Sequence, residues 1–236
     1  GVVRGINPML TTEEGKDAIK GVLEGLVLVN ELIEERRADP GDDILSTLIL
    51  AEDEGSKLTN MEMCALVGAV LGAGSDTAVD LHSYLIKNLL QHPKEFESLK
   101  EDPSLVQGAI SETLRYESSG KTGLARYASE DLEINGNQVK KGQMVQLITS
   151  TAGMDPVLYN NPRKFDIKRV HDKSISFGQG PHYCIGVTLV RSQTEVMLKE
   201  LFKRFPNLSL GNEVVYDYKH HNARRMDVMT VNTNIA

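Results

Sequence analysis

The chain has little cysteine, no long apolar run and no excess of positive charge. Cys64 and Cys184 are its two cysteines, which excludes a framework of several disulfides and favours a reducing compartment such as the cytoplasm. The uncharged apolar stretch around Ala65 to Ala73 is too short to span a bilayer, so we expect no membrane partner, and no secretory signal is visible. A formal net charge of −7 disfavours nucleic acid as the main partner.

The sequence also lacks internal repeats and low-complexity segments, and 236 residues suit one large domain or two small ones. Thr11 and Thr12 precede a long amphipathic run that Pro40 and Gly41 end. A short helix follows, and its apolar face is predicted to contain Ile44, Leu45, Leu48 and Ile49. Thr59 begins the longest predicted helix, in which Thr59 and Glu62 have the spacing of a capping box, and the helix runs to Gln91 and ends before Pro93. Further helices follow, and alternating segments with a hairpin signal at Asn135-Gly136 stand between them. The pattern predicts a mainly α fold with a minor β part.

Cys184 follows a glycine-rich loop and precedes an apolar, helix-like run. The sequence predicts that this helix begins at Ile185-Gly186, where free amides and the helix dipole would favour the thiolate form. Glycines at 178, 180 and 186 remove side chains where the backbone must approach something flat or bulky. Taken alone, Cys184 is more often a buried cysteine that packs in a glycine-rich turn than one that reacts with an electrophile or binds a metal.

The full spacing Phe177-x-x-Gly180-x-His182-x-Cys184-x-Gly186 resembles the haem-binding signature of the cytochrome P450 family. This resemblance implies a cytochrome P450 fold and haem b (iron protoporphyrin IX) as cofactor. It also implies that the Cys184 thiolate is the iron ligand and donates electron density that promotes cleavage of the O–O bond. Phe177, Gly178, His182 and Gly186 become cofactor-binding candidates, with His182 near a haem propionate.

Three further motifs stand in the order that the resemblance requires. Ala73-Gly74-Ser75-Asp76-Thr77 is similar to the acid–alcohol motif of the family's distal helix. There the glycine makes room for oxygen, and Asp76 and Thr77 are the candidates for proton delivery. The alternative is that both side chains merely face solvent. Ala73 and Gly74 are the corresponding cofactor-binding candidates.

The other two motifs are charged. Glu112-x-x-Arg115 is similar to the family's helix pair that joins a downstream arginine, here Arg169, in a buried ion network; we assign these three a structural role. Arg126, on the first predicted strand, corresponds to an arginine that binds a haem propionate, and a guanidinium suits that carboxylate. The alternatives are that Arg126 is an exposed arginine on a strand and that Glu112 and Arg115 form a salt bridge on a helix surface.

The remaining predictions concern the substrate. Ala69, Lys121, Thr122 and Gly123 are candidate substrate-lining residues, although Lys121 could equally point to solvent. The other histidines show no metal-binding spacing, and Cys64 is predicted to pack in a core.

The resemblance covers essentially the whole chain, residues 1–236, as a single haem-binding domain, but family members carry a further N-terminal portion before Gly1. We therefore expect a truncated or proteolysed product, a naturally short form, or a second chain that supplies this portion. By resemblance the function is a monooxygenase that inserts one atom of O2 into a small organic substrate, with electrons from a ferredoxin-type donor in the cytoplasm. Two alternatives stay open: a peroxide-using haem-thiolate enzyme, which would normally lack the Asp76–Thr77 pair, and a non-catalytic module or fragment.

Overall fold

The computed structural model describes residues 11–51, 58–120, 123–171, 174–218 and 223–234, and the chain divides into two compact units. The first unit ends at Thr77 and the second begins at Ala78. The boundary falls inside the longest helix. The interpretation of residues 1–236 as one haem-binding domain therefore stays a prediction.

The first unit is built from helices α1 (Thr12–Ala38), α2 (Ile44–Ala51) and the N-terminal part of α3 (Asn60–Gln91). Thr11 caps α1, because its hydroxyl accepts a hydrogen bond from the Glu14 amide while the Glu14 carboxylate accepts one from the Thr11 amide at 2.9 Å. These helices pack around a small apolar core, whose buried residues are Val29, Ile33, Ile49 and Met63.

Two predictions about this unit have different outcomes. Cys64 packs against the small core and is half-buried, which confirms its assignment as a core residue. Ile44 is 74% exposed, so its placement on the apolar face of α2 is wrong. It occupies the first position of the helix, where the chain has just left a turn and the face buried further along is not yet formed.

Helix α3 has 32 residues and remains helical through Gly72 and Gly74. Thr59 and Glu62 form the predicted capping box, with the Thr59 amide 2.8 Å from Glu62 Oε2 and the Glu62 amide 3.2 Å from Thr59 Oγ1. An 18-residue window of α3 reaches a mean hydropathy of 1.3, so by length and composition this helix could cross a membrane. Core helices of water-soluble proteins pass the same test, and the observation is weak evidence for a span.

The second unit contains the C-terminal part of α3 and four further α-helices: α4 (Pro93–Glu101), α5 (Val106–Tyr116), α6 (Thr149–Ala152) and α7 (Val187–Arg204). Short 3₁₀ turns precede α5 (Pro103–Leu105) and α7 (Gly180–His182). Helices α3, α4, α5 and α7 and the loop before the cysteine segment share one apolar core, whose buried residues include Leu85, Leu89, Phe96, Ile110, Phe165 and Leu198.

The strands of the described chain form three antiparallel pairs. Strand β1 (Leu124–Tyr127) pairs with β4 (Met144–Leu147), β2 (Leu132–Ile134) with β3 (Asn137–Val139), and β5 (Ser209–Asp217) with β6 (Arg225–Asn232). Asn135 and Gly136 turn between β2 and β3 with φ of 49° and 79°. Positive φ at both central residues is the requirement of a type I′ turn, and the predicted hairpin is confirmed.

Candidate functional site

The cysteine loop is held by hydrogen bonds of its own backbone. The Cys184 amide donates to the Phe177 carbonyl at 2.9 Å, and the Tyr183 amide donates to the Gly180 carbonyl at 3.0 Å. Gly178 and Gly180 have φ of 77° and 70°, a region that residues with a Cβ rarely adopt. The loop thus returns on itself and presents the Cys184 thiol, which is exposed, at its end.

Helix α7 begins later than the sequence predicted. Ile185 and Gly186 form a turn, Gly186 is the N-cap, and the first helical residue is Val187. Glycine has no side chain with which to cap the amides, and no side-chain cap bond is formed there. The predicted start at Ile185 is therefore wrong by two residues, and Cys184 lies three residues before the first turn.

Arg191, on α7, contacts the Phe177 ring of the cysteine loop, and this contact was not predicted from the sequence. Its guanidinium carbon lies 5.7 Å from the centre of the Phe177 ring, and its Nε is buried with no hydrogen-bond partner among the described residues. A cation over an aromatic face is attractive, so the contact fixes the first residue of the signature against α7. The available signal was an arginine seven residues after Cys184, two helical turns along a predicted helix.

Exposed side chains of the second unit, near Cys184 in sequence and on β1, suit a flat apolar group with carboxylate substituents. Ile185 and Leu189, which follow Cys184 in the chain, are 92% and 58% exposed. Arg126 on β1 and His182 in the 3₁₀ turn are also exposed, and the described contact of the Arg126 guanidinium is its own neighbour's carbonyl, Ala125 O, at 2.9 Å. A thiol, exposed apolar side chains and two cationic or polar donors form a donor set that fits haem.

An ion cluster in the second unit is formed by Glu112, Arg115 and Arg169. Arg115 Nε lies 2.7 Å from Glu112 Oε2 and Arg115 Nη2 lies 2.8 Å from Oε1, a bidentate pair in which both side chains are almost fully buried. Arg169 Nε lies 3.3 Å from the same carboxylate. Arg115 also donates to the carbonyls of Gly153 and Pro162 at 2.6 and 2.8 Å, so the cluster ties α5 to the loop that leads to Cys184.

His171 completes this cluster and was not predicted. Its Nε2 lies 3.4 Å from Glu112 Oε2, and neither ring nitrogen has a hydrogen-bond partner within the described ranges. Burial lowers the pKa of His171, and the nearby Glu112 carboxylate opposes that shift. The side chain therefore fills the space beside the ion pair as a neutral ring at neutral pH.

The predicted distal motif lies in the first unit, on α3. Thr77 Oγ1 donates to the carbonyl of Ala73, one turn earlier, at 2.6 Å. Its lone pairs remain free of that bond, so the hydroxyl can also accept a hydrogen bond from water. Among the described residues, no neighbouring atom comes within 4 Å of the position that a Cβ of Gly74 would occupy, so the helix surface is open to them there. Ala69, Ala73 and Thr77 are exposed, and Asp76 is half-buried.

The substrate-lining candidates are divided by what the structure describes. Lys121 and Thr122 lie outside the described residues. Gly123 has φ of 70°, and a Cβ there would stand 1.8 Å from the carbonyl oxygen of Leu147. Glycine is therefore required at this point because the backbone of β4 passes against it.

Another contact missed from the sequence joins α3 to α7. His82 Nε2 lies 2.9 Å from Thr194 Oγ1, and that hydroxyl donates to the Val190 carbonyl at 2.6 Å. The hydroxyl proton is thereby occupied, so His82 Nε2 carries the hydrogen that joins them. Burial lowers the pKa of His82. The two residues stand 112 positions apart, and no local pattern relates them.

Comparison with known proteins agrees with these motifs. The family model described as Cytochrome P450 matches residues 11–212. The chain is 38% identical over 220 residues to "Epothilone C/D epoxidase" of Sorangium cellulosum, covering 93% of this chain and 52% of that protein. It is 36% identical to "Polyketide biosynthesis cytochrome P450 PksS" of Bacillus subtilis (strain 168), covering 87% and 51%.

Solved structures show the same likeness. P450BioI, in complex with acyl carrier protein ligated to hexadec-9Z-enoic acid, superposes with a TM-score of 0.88 and 32% identity. The superposition covers 98% of this chain and 59% of that chain. The chain thus spans about half the length of the curated relatives it matches.

Proposed function

This chain belongs to the cytochrome P450 family, and from that premise we propose that it is the haem-binding part of a haem-thiolate monooxygenase. It would take part in inserting one atom of O2 into an organic substrate, using electrons from a redox partner. The observation that carries the proposal is the exposed Cys184 thiol at the end of a loop held by its own backbone. A thiol in that setting can bind a metal, whereas a cysteine kept for packing would be buried.

Haem b (iron protoporphyrin IX), when bound, would supply activation of O2 and the redox chemistry. The Cys184 thiolate would hold its iron, and Phe177 and the glycines 178, 180 and 186 would shape the loop. Arg126 and His182 would bind the propionates, because both side chains are exposed and carry N–H donors. Glu112, Arg115 and Arg169 would have the structural role of holding the loop in place.

Proton delivery is assigned to Asp76 and Thr77. The Thr77 hydroxyl keeps a fixed orientation through its bond to the Ala73 carbonyl and can accept a hydrogen bond from water. The Asp76 carboxylate would exchange protons with solvent. Ala73 and Gly74 would leave open surface for the cofactor and oxygen, since no atom in the described part of the chain lies within 4 Å of the Cβ position of Gly74.

The names of the relatives support a proposal for the class of substrate, and the family resemblance supports one for the electron donor and the location. Two proteins similar to this chain are named for epothilone epoxidation and polyketide biosynthesis, so we assign a polyketide-like organic substrate. Ala69 and Gly123, with Lys121 and Thr122, are the proposed substrate-lining residues. A ferredoxin-type donor and a cytoplasmic location are typical of such bacterial enzymes, and a remaining N-terminal portion, on this or a second chain, would complete the pocket.

The test is an absorption spectrum of the chain after haem loading, reduction with dithionite and addition of carbon monoxide. A strongly red-shifted Soret band is expected for thiolate-ligated iron. Cys184→Ser should abolish that band, and the matched change Cys64→Ser, at a half-buried core position, should leave it. A band typical of imidazole ligation, or an equal response of the two variants, would overturn the assignment of Cys184.

A further inference from the structure

A charged cavity of about 540 Å³ lies in the second unit, beside the C-terminal ends of α3 and α5. Its walls include Lys87 and Gln91 from α3, Tyr116 and Glu117 from the end of α5, and Arg224 just before β6. Arg163 and Met154, from the loop after α6, complete the lining. Small-molecule sites typically occupy about 300–1,000 Å³, so the charged cavity has the size of a ligand site.

Its floor is a fixed cluster of opposite charges. Lys87, which is 4% exposed, donates to the Glu117 carboxylate and lies 3.0 Å from the Tyr216 hydroxyl. Arg224 Nη2 donates to the other oxygen of Glu117, and Arg224 Nε lies 3.0 Å from the Tyr84 hydroxyl. Two cations therefore share one carboxylate, and this floor carries a formal charge of +1 (two positive, one negative).

Tyr84 and Tyr216 contact the cations Lys87 and Arg224 and add no charge to the floor of the cavity. Burial raises the pKa of Tyr84 to about 12, so its hydroxyl is neutral at physiological pH. Tyr84 donates to the Arg224 carbonyl at 2.7 Å, and the Arg224 guanidinium carbon lies 5.0 Å from the centre of the Tyr216 ring. The floor is thereby held rigid before any ligand arrives, which reduces the entropy lost on binding.

Arg163 adds a third cation at the rim. It is exposed and has no ion pair or hydrogen bond with any residue in the described ranges. With Arg163 the lining carries a formal charge of +2, from three cations and one carboxylate. A phosphate monoester carries about −1.5 to −2 at pH 7, which complements this charge.

We propose that the charged cavity binds a small phosphate monoester. Guanidinium groups match phosphate oxygens through paired N–H donors, and Arg163 has its donors available. Tyr116 and Met154 give the cavity apolar wall beside the cations, where the organic body of the ester would lie. The site is distinct from the Cys184 loop in its residues and does not depend on haem.

The test is isothermal titration calorimetry of the chain, at constant ionic strength, with inorganic phosphate, phenyl phosphate and phenol in turn. We expect saturable binding of both phosphates, tighter binding of phenyl phosphate because of the apolar wall, and none of phenol. Tighter binding of inorganic phosphate than of phenyl phosphate would overturn the monoester assignment. No saturable binding of either phosphate would overturn the site itself.

Variants show whether binding belongs to the charged cavity. Arg163→Gln should weaken phenyl phosphate binding by about tenfold, the loss of one charge-assisted contact, and Arg163→Lys by less. Lys199→Gln is the matched control, because it removes one exposed positive charge on α7 that does not line the cavity. Equal weakening by Arg163→Gln and Lys199→Gln would show general attraction to a cation-bearing surface and would contradict the proposal.

Discussion

The change Glu112→Gln removes the charge at the centre of the buried ion cluster and keeps the shape of the side chain. Glu112 is 0% and Arg115 2% exposed. The carboxylate accepts from Arg115 at 2.7 and 2.8 Å, from the Asp166 amide at 2.8 Å and from Arg169 at 3.3 Å. A neutral amide would leave the Arg115 guanidinium buried without a counter-charge.

The free-energy cost of Glu112→Gln follows from the burial of the Arg115 guanidinium. Breaking a buried pair by removing one partner's charge typically costs about 3–5 kcal/mol, because an uncompensated charge remains inside. A domain of ordinary stability has about 5–15 kcal/mol in total, so the loss is a large fraction of it. We therefore expect Glu112→Gln to lower the free energy of unfolding by about 3 kcal/mol or more.

The assay is urea unfolding followed by circular dichroism, which compares midpoints at constant slope. Glu97→Gln is the matched control, because Glu97 pairs with Lys100 at 2.8 Å on the surface of α4, and exposed pairs contribute little. A loss below about 1 kcal/mol for Glu112→Gln, or one no larger than for Glu97→Gln, would refute the reasoning.

Two further predictions concern backbone space and pH. Gly123→Ala should lower the free energy of unfolding by more than Gly142→Ala does in urea melts. Both glycines have positive φ, so the backbone strain is similar at the two positions. A Cβ at Gly123 would stand 1.8 Å from Leu147 O, whereas one at Gly142 would meet no atom of the described residues within 4 Å. Equal losses of unfolding free energy would contradict this prediction. Burial lowers the pKa of His82, so the unfolded chain binds more protons and stability is lost as pH falls below about 6.5. His82→Gln should reduce that slope in pH-dependent melts, and an unchanged slope would exclude His82 as its source.

Local patterns predicted well what depends on neighbours in sequence. The cap at Thr59 and the turn at Asn135-Gly136 were predicted because each needs only residues within three or four positions. Pro93 was interpreted as the end of a helix, and the structure shows that it also begins α4. Proline suits the first turn of a helix, so the same residue ends one helix and begins the next.

Contacts between segments that are far apart in the chain could not be predicted from the sequence. Glu117 reaches Lys87 and Arg224, which stand 30 and 107 positions away, and no spacing rule relates them. The family motif related Glu112 to Arg169, 57 positions away, because a family signature supplies such long-range information in advance. No motif included Arg191, and the sequence indicated only a helix arginine at that position.

Helix α5 and its C-cap carry two glutamates, and each glutamate belongs to a different charge cluster. Glu112 and Glu117 stand five residues apart, which is about 140° around a helix, so they face different directions. Glu112 binds Arg115 and Arg169, whereas Glu117 binds Lys87 and Arg224, and the described contacts give them no partner in common. Arg115 of the ion cluster also binds the carbonyls of Gly153 and Pro162, which are the chain neighbours of the cavity residues Met154 and Arg163. Sites that share a backbone segment do not act independently, so Glu112→Gln should weaken phenyl phosphate binding at the charged cavity as well as lower the free energy of unfolding. An unchanged affinity in calorimetry would contradict this coupling.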